Sequence, residues 1–178
     1  MMTQVRPQSN EYAAPFKKYV DGVPDGDLVQ ILEDQLADWQ RVLTPLGEEA
    51  GNFRYAPEKW SIKELLGHIV DAERIFSYRL LRIARGDKTP LPGFEQDDYI
   101  KTANSSKRQL VNLRAEFEAV RRASILLAAS LDEQALQQTG TSSGNPISAR
   151  ALLFIIAGHD RHHFTILREK YIPALGEQ

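Results

Sequence analysis

The stretch WSIKELLGHIVDAERIFSYRLLRIAR, residues 60–85, has the clearest helical grammar in the chain. Ser61 and Glu64 form an S-x-x-E capping box, in which each side chain satisfies an orphan backbone N–H of the other residue. Trp60 before the cap and Leu65 four residues after it fit a hydrophobic staple. Leu65, Ile69, Ala72, Phe76 and Leu80 then line one face at helical spacing. Gly86 supplies the C-terminal stop, so one helix is expected from Ser61 to about Arg85.

Three further helical patterns flank it. Upstream, Asp27 is a good N-cap for Leu28, Ile31, Leu32, Gln35, Leu36, Trp39, Val42 and Leu43, and Pro45 with Gly47 ends that helix. Downstream, residues 87–104 contain two prolines and a Pro-Gly turn and read as a crossing loop. Ser106 and Gln109 read as a second capping pair, followed by Leu110, Leu113, Phe117, Val120, Ser124, Leu127 and Leu131 in steps of three and four, a bundle seam. After a polar loop from Gln137, Asn145 reads as the cap and Pro146 as the first residue of a last helix, which runs to about Tyr171 with Pro173 beyond its end. Pro7, Pro15 and Pro24 exclude a long helix in residues 1–24, yet Tyr12, Phe16 and Tyr19 suit an arm packed on the body. The expected class is all-α, a four-helix bundle, with residues 1–178 forming one domain.

Composition narrows the function by exclusion. The 22 Lys+Arg nearly balance the 24 Asp+Glu, so nothing in the charge invites nucleic acid or an anionic membrane. The absence of cysteine excludes disulfides, thiolate metal ligands and a cysteine nucleophile. The N-terminus lacks an apolar stretch of signal-peptide length. The longest apolar run, Ala151 to Ala157, falls far short of the ~20 residues of a membrane span, and the cytoplasm is the expected compartment.

Only four histidines are present, and three lie in AGHDRHH near the C-terminus. At ~100° per residue, His159 and His163 fall at the centre of the most apolar helical face of the chain, among Leu152, Ile155, Ile156 and Ile166, with His162 at its edge. Imidazoles buried side by side need partners for both nitrogens. Side chains four apart lie ~6 Å from each other and can aim one nitrogen each at a shared cation. A third ligand would have to be His68, one turn after Glu64. It stands roughly 80–90° from the centre of its helix's apolar stripe, a position that suits a solvated edge residue as well as one lining a cleft.

At these residues the sequence resembles the DinB-like superfamily, including its YfiT-type metal-dependent hydrolases. The resemblance rests on Trp60, Ser61, Glu64, His68, Asp71 and Glu73 in the pattern W-S-x-x-E-x-x-x-H-x-x-D-x-E, on the His159 and His163 pair, and on the stretches RYAPEKWS, RIARGDKTPLPGFEQDDY and AGHDRHH. It implies an up-down-down-up bundle with a long crossover, and His68, His159 and His163 as the ligands of a divalent metal, zinc or nickel first among the imidazole-binding ions. Related members include thiol-dependent transferases and isomerases that use low-molecular-weight thiols.

Three neutral imidazoles leave an open position on an ion, which leans toward catalysis rather than structure. The expected function is a metal-dependent hydrolase or thiol S-transferase acting on a small-molecule substrate. With no cysteine in the chain, any thiol must arrive as a cosubstrate. Glu64 and Asp71 are the candidate catalytic carboxylates, with Asp160 a further one; on a helix edge each is equally readable as a solvated charge. Arg79, Arg82 and Arg85 are candidates to meet an anionic cosubstrate. The alternatives are a non-catalytic metal- or small-molecule-binding bundle and a purely structural one. The seam of the third helix also offers a surface for a homodimer.

Overall fold

The computed structural model describes residues 5–176. Four long helices form the body: α2 Leu28–Leu43, α3 Ile62–Ala84, α5 Leu110–Ala129 and α7 Ala149–Ile166. Short elements fill the connections: α1 Lys17–Gly22, α4 Gln96–Ala103, α6 Glu133–Leu136, a hairpin of β1 Thr139–Ser142 and β2 Asn145–Ser148, and a terminal α8 Ile172–Gly176.

Contacts between helices set the topology. Ser77 meets Ser124 and Glu73 meets Arg121, so α3 and α5 run parallel, which requires the long 85–109 crossover between them. His68 faces His159 and His163, while Trp60 receives a hydrogen bond from Tyr171, so α3 and α7 are antiparallel. Gln35 bonds Ala157 and Trp39 packs on Phe164, which makes α2 parallel to α7. The order is up-down-down-up. Leu32, Trp39, Leu66, Ile69, Leu80, Leu113, Phe117, Leu153 and Ile155 fill the space between the four helices.

The start of α3 follows the sequence grammar: Ser61 Oγ accepts from Glu64 N–H and a Glu64 carboxylate oxygen accepts from Ser61 N–H. Asp27 caps α2 by accepting from Val29 and Gln30.

Three expectations are corrected. The last helix is capped by Ser148, whose Oγ accepts from Ala151 N–H, and Asn145 and Pro146 belong to β2 instead. Ser143 and Gly144 take φ of 50° and 76°, the left-handed pair that closes a tight two-residue hairpin, and this turn outcompetes an Asn-Pro helix start. The α5 entry uses Gln109 rather than a Ser106 capping box; Ser105–Lys107 form a 3₁₀ turn, and Glu48 from the α2–α3 connection accepts from the first-turn Leu110 N–H at 2.8 Å. Pro173 does not lie beyond the helical path. Leu167–Tyr171 form a π-helical turn leading into α8, and the wider turn lets the chain pass a residue that lacks an N–H and crowds the preceding carbonyls. The 87–104 connection also carries α4, and Leu91 bonds the hairpin backbone through Thr141 and Ser143.

The N-terminal segment packs on the body. Glu11 accepts from Ser148 Oγ and Arg150 Nε, both at 2.7 Å, while Tyr12 and Val20 are buried. Residues 1–4 of the expected arm lie outside the described residues. Among the described residues, no helix is long and apolar enough to cross a membrane.

Candidate metal centre

His68, two turns into α3, meets His159 and His163 from the C-terminal half of α7. Their Nε2 atoms form a nearly equilateral triangle: 3.0 Å from His68 to His159, 3.2 Å from His68 to His163, and 3.1 Å from His159 to His163. All three residues are buried, exposed by only 4%, 5% and 8%. His68 is therefore no solvated edge residue. The interface of α3 with α7, rather than the apolar centre of α3 alone, covers it.

Hydrogen-bond chemistry cannot satisfy this triangle. Each Nε2 either carries a proton or offers a lone pair. With three atoms and two roles, at least one of the three contacts sets lone pair against lone pair or N–H against N–H. A shared cation removes the conflict, because every nitrogen can then present a lone pair. Three atoms so spaced lie roughly 1.8 Å from their common centre, close enough that one ion at a Zn–N bond length of ~2.0–2.1 Å would be within reach of all three. The donor set also has the right protonation. Burial holds the His68 ring down at about 4 and the His163 ring at about 2, and depresses His159 well below the usual imidazole range, with the neighbouring histidines adding to the effect at His159 and His163. Neutral imidazoles are what a metal requires.

Glycine precedes both His68 and His159, and each glycine admits a crossing segment. A Cβ on Gly67 would lie 2.1 Å from Ser105 Oγ, and one on Gly158 would lie 2.0 Å from the Tyr19 carbonyl oxygen. The crossover and the N-terminal arm therefore press against the backbone immediately beside His68 and His159. The Tyr19 ring stands edge-on to His159 and to His162, with centroids 5.4 and 5.6 Å away; Phe76 abuts His159, and Trp60 lies over His68 at 4.8 Å. Beside His163 opens a cleft of about 260 Å³ walled by Tyr55, Trp60, Leu65, Ile166 and Tyr171, with Glu58 and Lys59 also lining it. The π-helical turn ends on Tyr171, whose hydroxyl donates to the Trp60 carbonyl at 2.7 Å.

The carboxylates are distributed differently from the histidines. Glu64 serves the capping box and pairs with Arg54 at 2.7 Å; burial pushes its carboxyl up, but Arg54 and the Ser61 N–H bring it below the usual range. Asp71 is half-buried, its carboxyl raised by burial, and it faces Arg74 and Glu116 with no hydrogen bond to a histidine. Asp160 is fully buried and paired with Arg121 at 2.8 Å, which corrects its reading as an edge charge: the residue beside His159 points into the bundle core. Burial and the Glu73 charge hold its carboxyl up at about 6. His162 is half-buried against Tyr19 and stays out of the triangle. Arg79 is committed to the Pro92 carbonyl at 2.6 Å and Arg82 to Asp87, while Arg85 is exposed.

Sequence reasoning missed Asp97, in the first turn of α4, whose charge acts on His68 against the effect of burial. It also missed Arg121, a fully buried cation in the core. The signal for Arg121 was present: it lies four residues after Phe117 and three before Ser124, on the stripe read as a seam.

A profile of the DinB superfamily matches residues 31–167. A protein of Oceanobacillus iheyensis that carries the name of a metal-dependent hydrolase is 22% identical over 155 residues, spanning 82% of this chain and 88% of its own length. Among solved structures, YfiT from Bacillus subtilis, described as a probable metal-dependent hydrolase with an unusual four-helix bundle topology, shares the fold with a TM-score of 0.75 at 14% identity, over 97% of this chain and 94% of YfiT. A mycothiol-dependent maleylpyruvate isomerase has a TM-score of 0.65 at 16% identity, over 78% of this chain and 58% of that enzyme. The profile spans most of the chain and the shared topology spans nearly all of it, which places the protein in the DinB superfamily.

Proposed function

We propose that His68, His159 and His163 hold a divalent metal ion, zinc or nickel, and that the protein is a metal-dependent enzyme acting on a small electrophilic substrate. The observation that carries this reading is the Nε2 triangle, whose mutual contacts no assignment of protons can satisfy. When bound, such an ion supplies Lewis acidity that makes a water or thiol nucleophilic near neutral pH.

The chain's own residues supply the surroundings. Trp60, Phe76 and Tyr19 pack around the imidazoles and keep bulk water from their edges. The cleft beside His163 gives a small molecule apolar and aromatic walls, with Lys59 and Glu58 as its charged groups. The absence of cysteine requires any thiol to come with a cosubstrate. A thiol transfer is supported only by the fold shared with a mycothiol-dependent isomerase, and hydrolysis by the names of the other relatives.

Metal analysis of the protein purified without an affinity tag, with zinc and nickel titrations, tests the metal. The wild type should bind about one ion per chain, and His163→Ala should lose it. Binding that survives His163→Ala would sink the reading. Turnover of ester, amide and epoxide panels with and without low-molecular-weight thiols then separates hydrolase from transferase. Metal binding with no turnover across these panels would favour a non-catalytic metal-binding bundle.

A further inference from the structure

Arg121 joins all four bundle helices through one guanidinium. Its Nε and Nη2 donate to Glu73 Oε2 on α3 at 3.1 and 2.7 Å, Nη2 also donates to Asp160 Oδ1 on α7 at 2.8 Å, and Nη1 donates to Gln35 Oε1 on α2 at 3.0 Å. Gln35 in turn donates to the Ala157 carbonyl at 2.8 Å. The network thus grips α7 at Ala157 and Asp160, the residues that bracket Gly158 and His159. It grips α3 at Glu73, five residues after His68.

We propose that Arg121 is a positioning residue for the histidine triangle: its planar fork fixes the spacing and rotation of α3 and α7 so that the three Nε2 atoms converge. This rests on the histidines forming a metal site. Stability alone does not account for the network. Apolar side chains of similar volume commonly replace a buried ion triad with no loss of stability. Here Glu73 Oε1 and Asp160 Oδ2 are left buried without a hydrogen-bond partner among the described residues, a poor arrangement for a device that only stabilises. What apolar packing lacks is direction: hydrophobic contact is non-directional, whereas a guanidinium fork bonds at fixed angles. A three-ligand site demands such control, since ligand distances must hold to within ~0.2 Å.

The experiment compares wild type with Arg121→Lys and with the triple variant Glu73→Leu, Arg121→Met, Asp160→Leu. Zinc affinity, the visible spectrum of the cobalt-loaded protein, thermal midpoint and the histidine-ring NMR signals of metal-free protein are measured. The triple variant should melt no lower than wild type, yet bind zinc at least about tenfold more weakly with an altered cobalt spectrum, and Arg121→Lys should fall between. In metal-free protein the signals of His68, His159 and His163 should shift in both variants. Wild-type zinc affinity and cobalt spectrum in either folded variant would overturn the proposal. Should neither variant fold, the network is a folding requirement and the positioning role is equally overturned. Should wild type bind no metal, the metal reading fails by itself; unchanged histidine-ring signals in the variants would then dispose of the positioning role separately.

Discussion

The backbone of Tyr19 lies so close to Gly158 that a Cβ there would stand 2.0 Å from the Tyr19 carbonyl oxygen. This contact lies where α1 packs on α7, one residue before His159, and the Tyr19 ring stands edge-on to that imidazole. Helix propensity alone favours alanine over glycine within α7 by about 1 kcal/mol, so selection for helicity would remove this glycine. The close approach of the arm opposes that.

Gly158→Ala should therefore destabilise the protein by about 2–3 kcal/mol, the overpacking penalty outweighing the helical gain. Equilibrium denaturation measures the loss, and hydrogen exchange should show faster opening of residues 14–22. A variant as stable as wild type would mean that the arm does not rest on α7 as described.

Gly67 and Ser105 form the equivalent contact on the crossover, where a Cβ on Gly67 would meet Ser105 Oγ at 2.1 Å. Gly67→Ala should cost about 1–2 kcal/mol in the wild-type background. In a Ser105→Gly background the same change should become neutral or stabilising, because only helix propensity remains. A double-mutant cycle reads this directly, and additive effects would contradict it.

Glu11 anchors the arm to the start of α7. Burial opposes its charge, but the Arg150 hydrogen bonds prevail and hold the carboxyl down at about 2, against 4.5 for the free side chain. The unfolded chain therefore binds more protons between these values, so the anchor's contribution is complete above about pH 4.5 and is lost as pH falls toward 2. Wild type should be more stable than Glu11→Gln at pH 7, with the gap closing across that window. A gap that persists at pH 2 would show that the ionic pairing with Arg150 is not its source.

Glu64 acts on the start of α3, through the capping box and Arg54. Glu64→Ala and Ser61→Ala should each lower stability by about 1 kcal/mol, and together by less than the sum, since both break one reciprocal motif. Chemical denaturation of the two single variants and the double variant checks this.

The helices of the body were readable because their information is local. Asp27, Ser61 and Glu64 satisfy backbone groups within three residues, and the apolar spacing of α2 and α3 declares which face is buried. The hairpin was not readable as such, because Asn-Pro suits a helix start as well as a strand after a tight turn, and only the pairing of Thr139 with Ser148 decides between them. For the site, His159 and His163 declared themselves by sharing the apolar face of one helix. Asp160 and Arg121 did not, because each is tolerable in the core only through partners distant in sequence.

The sequence by itself determined four helices, the caps of α2 and α3 and a pair of histidines one turn apart, since all of these follow from backbone hydrogen bonds and a 3.6-residue period. The resemblance pointed to His68 as the third histidine, but tertiary structure alone decided that it lies, 91 residues from His159, 3.0 Å away in a closed triangle. The reason is physical: convergence of three imidazoles depends on how far apart α3 and α7 pack and how each is rotated. The Arg121 network acts on those quantities, while Gly67 and Gly158 seat the crossover and the arm beside the histidines, all across segments that no local pattern connects.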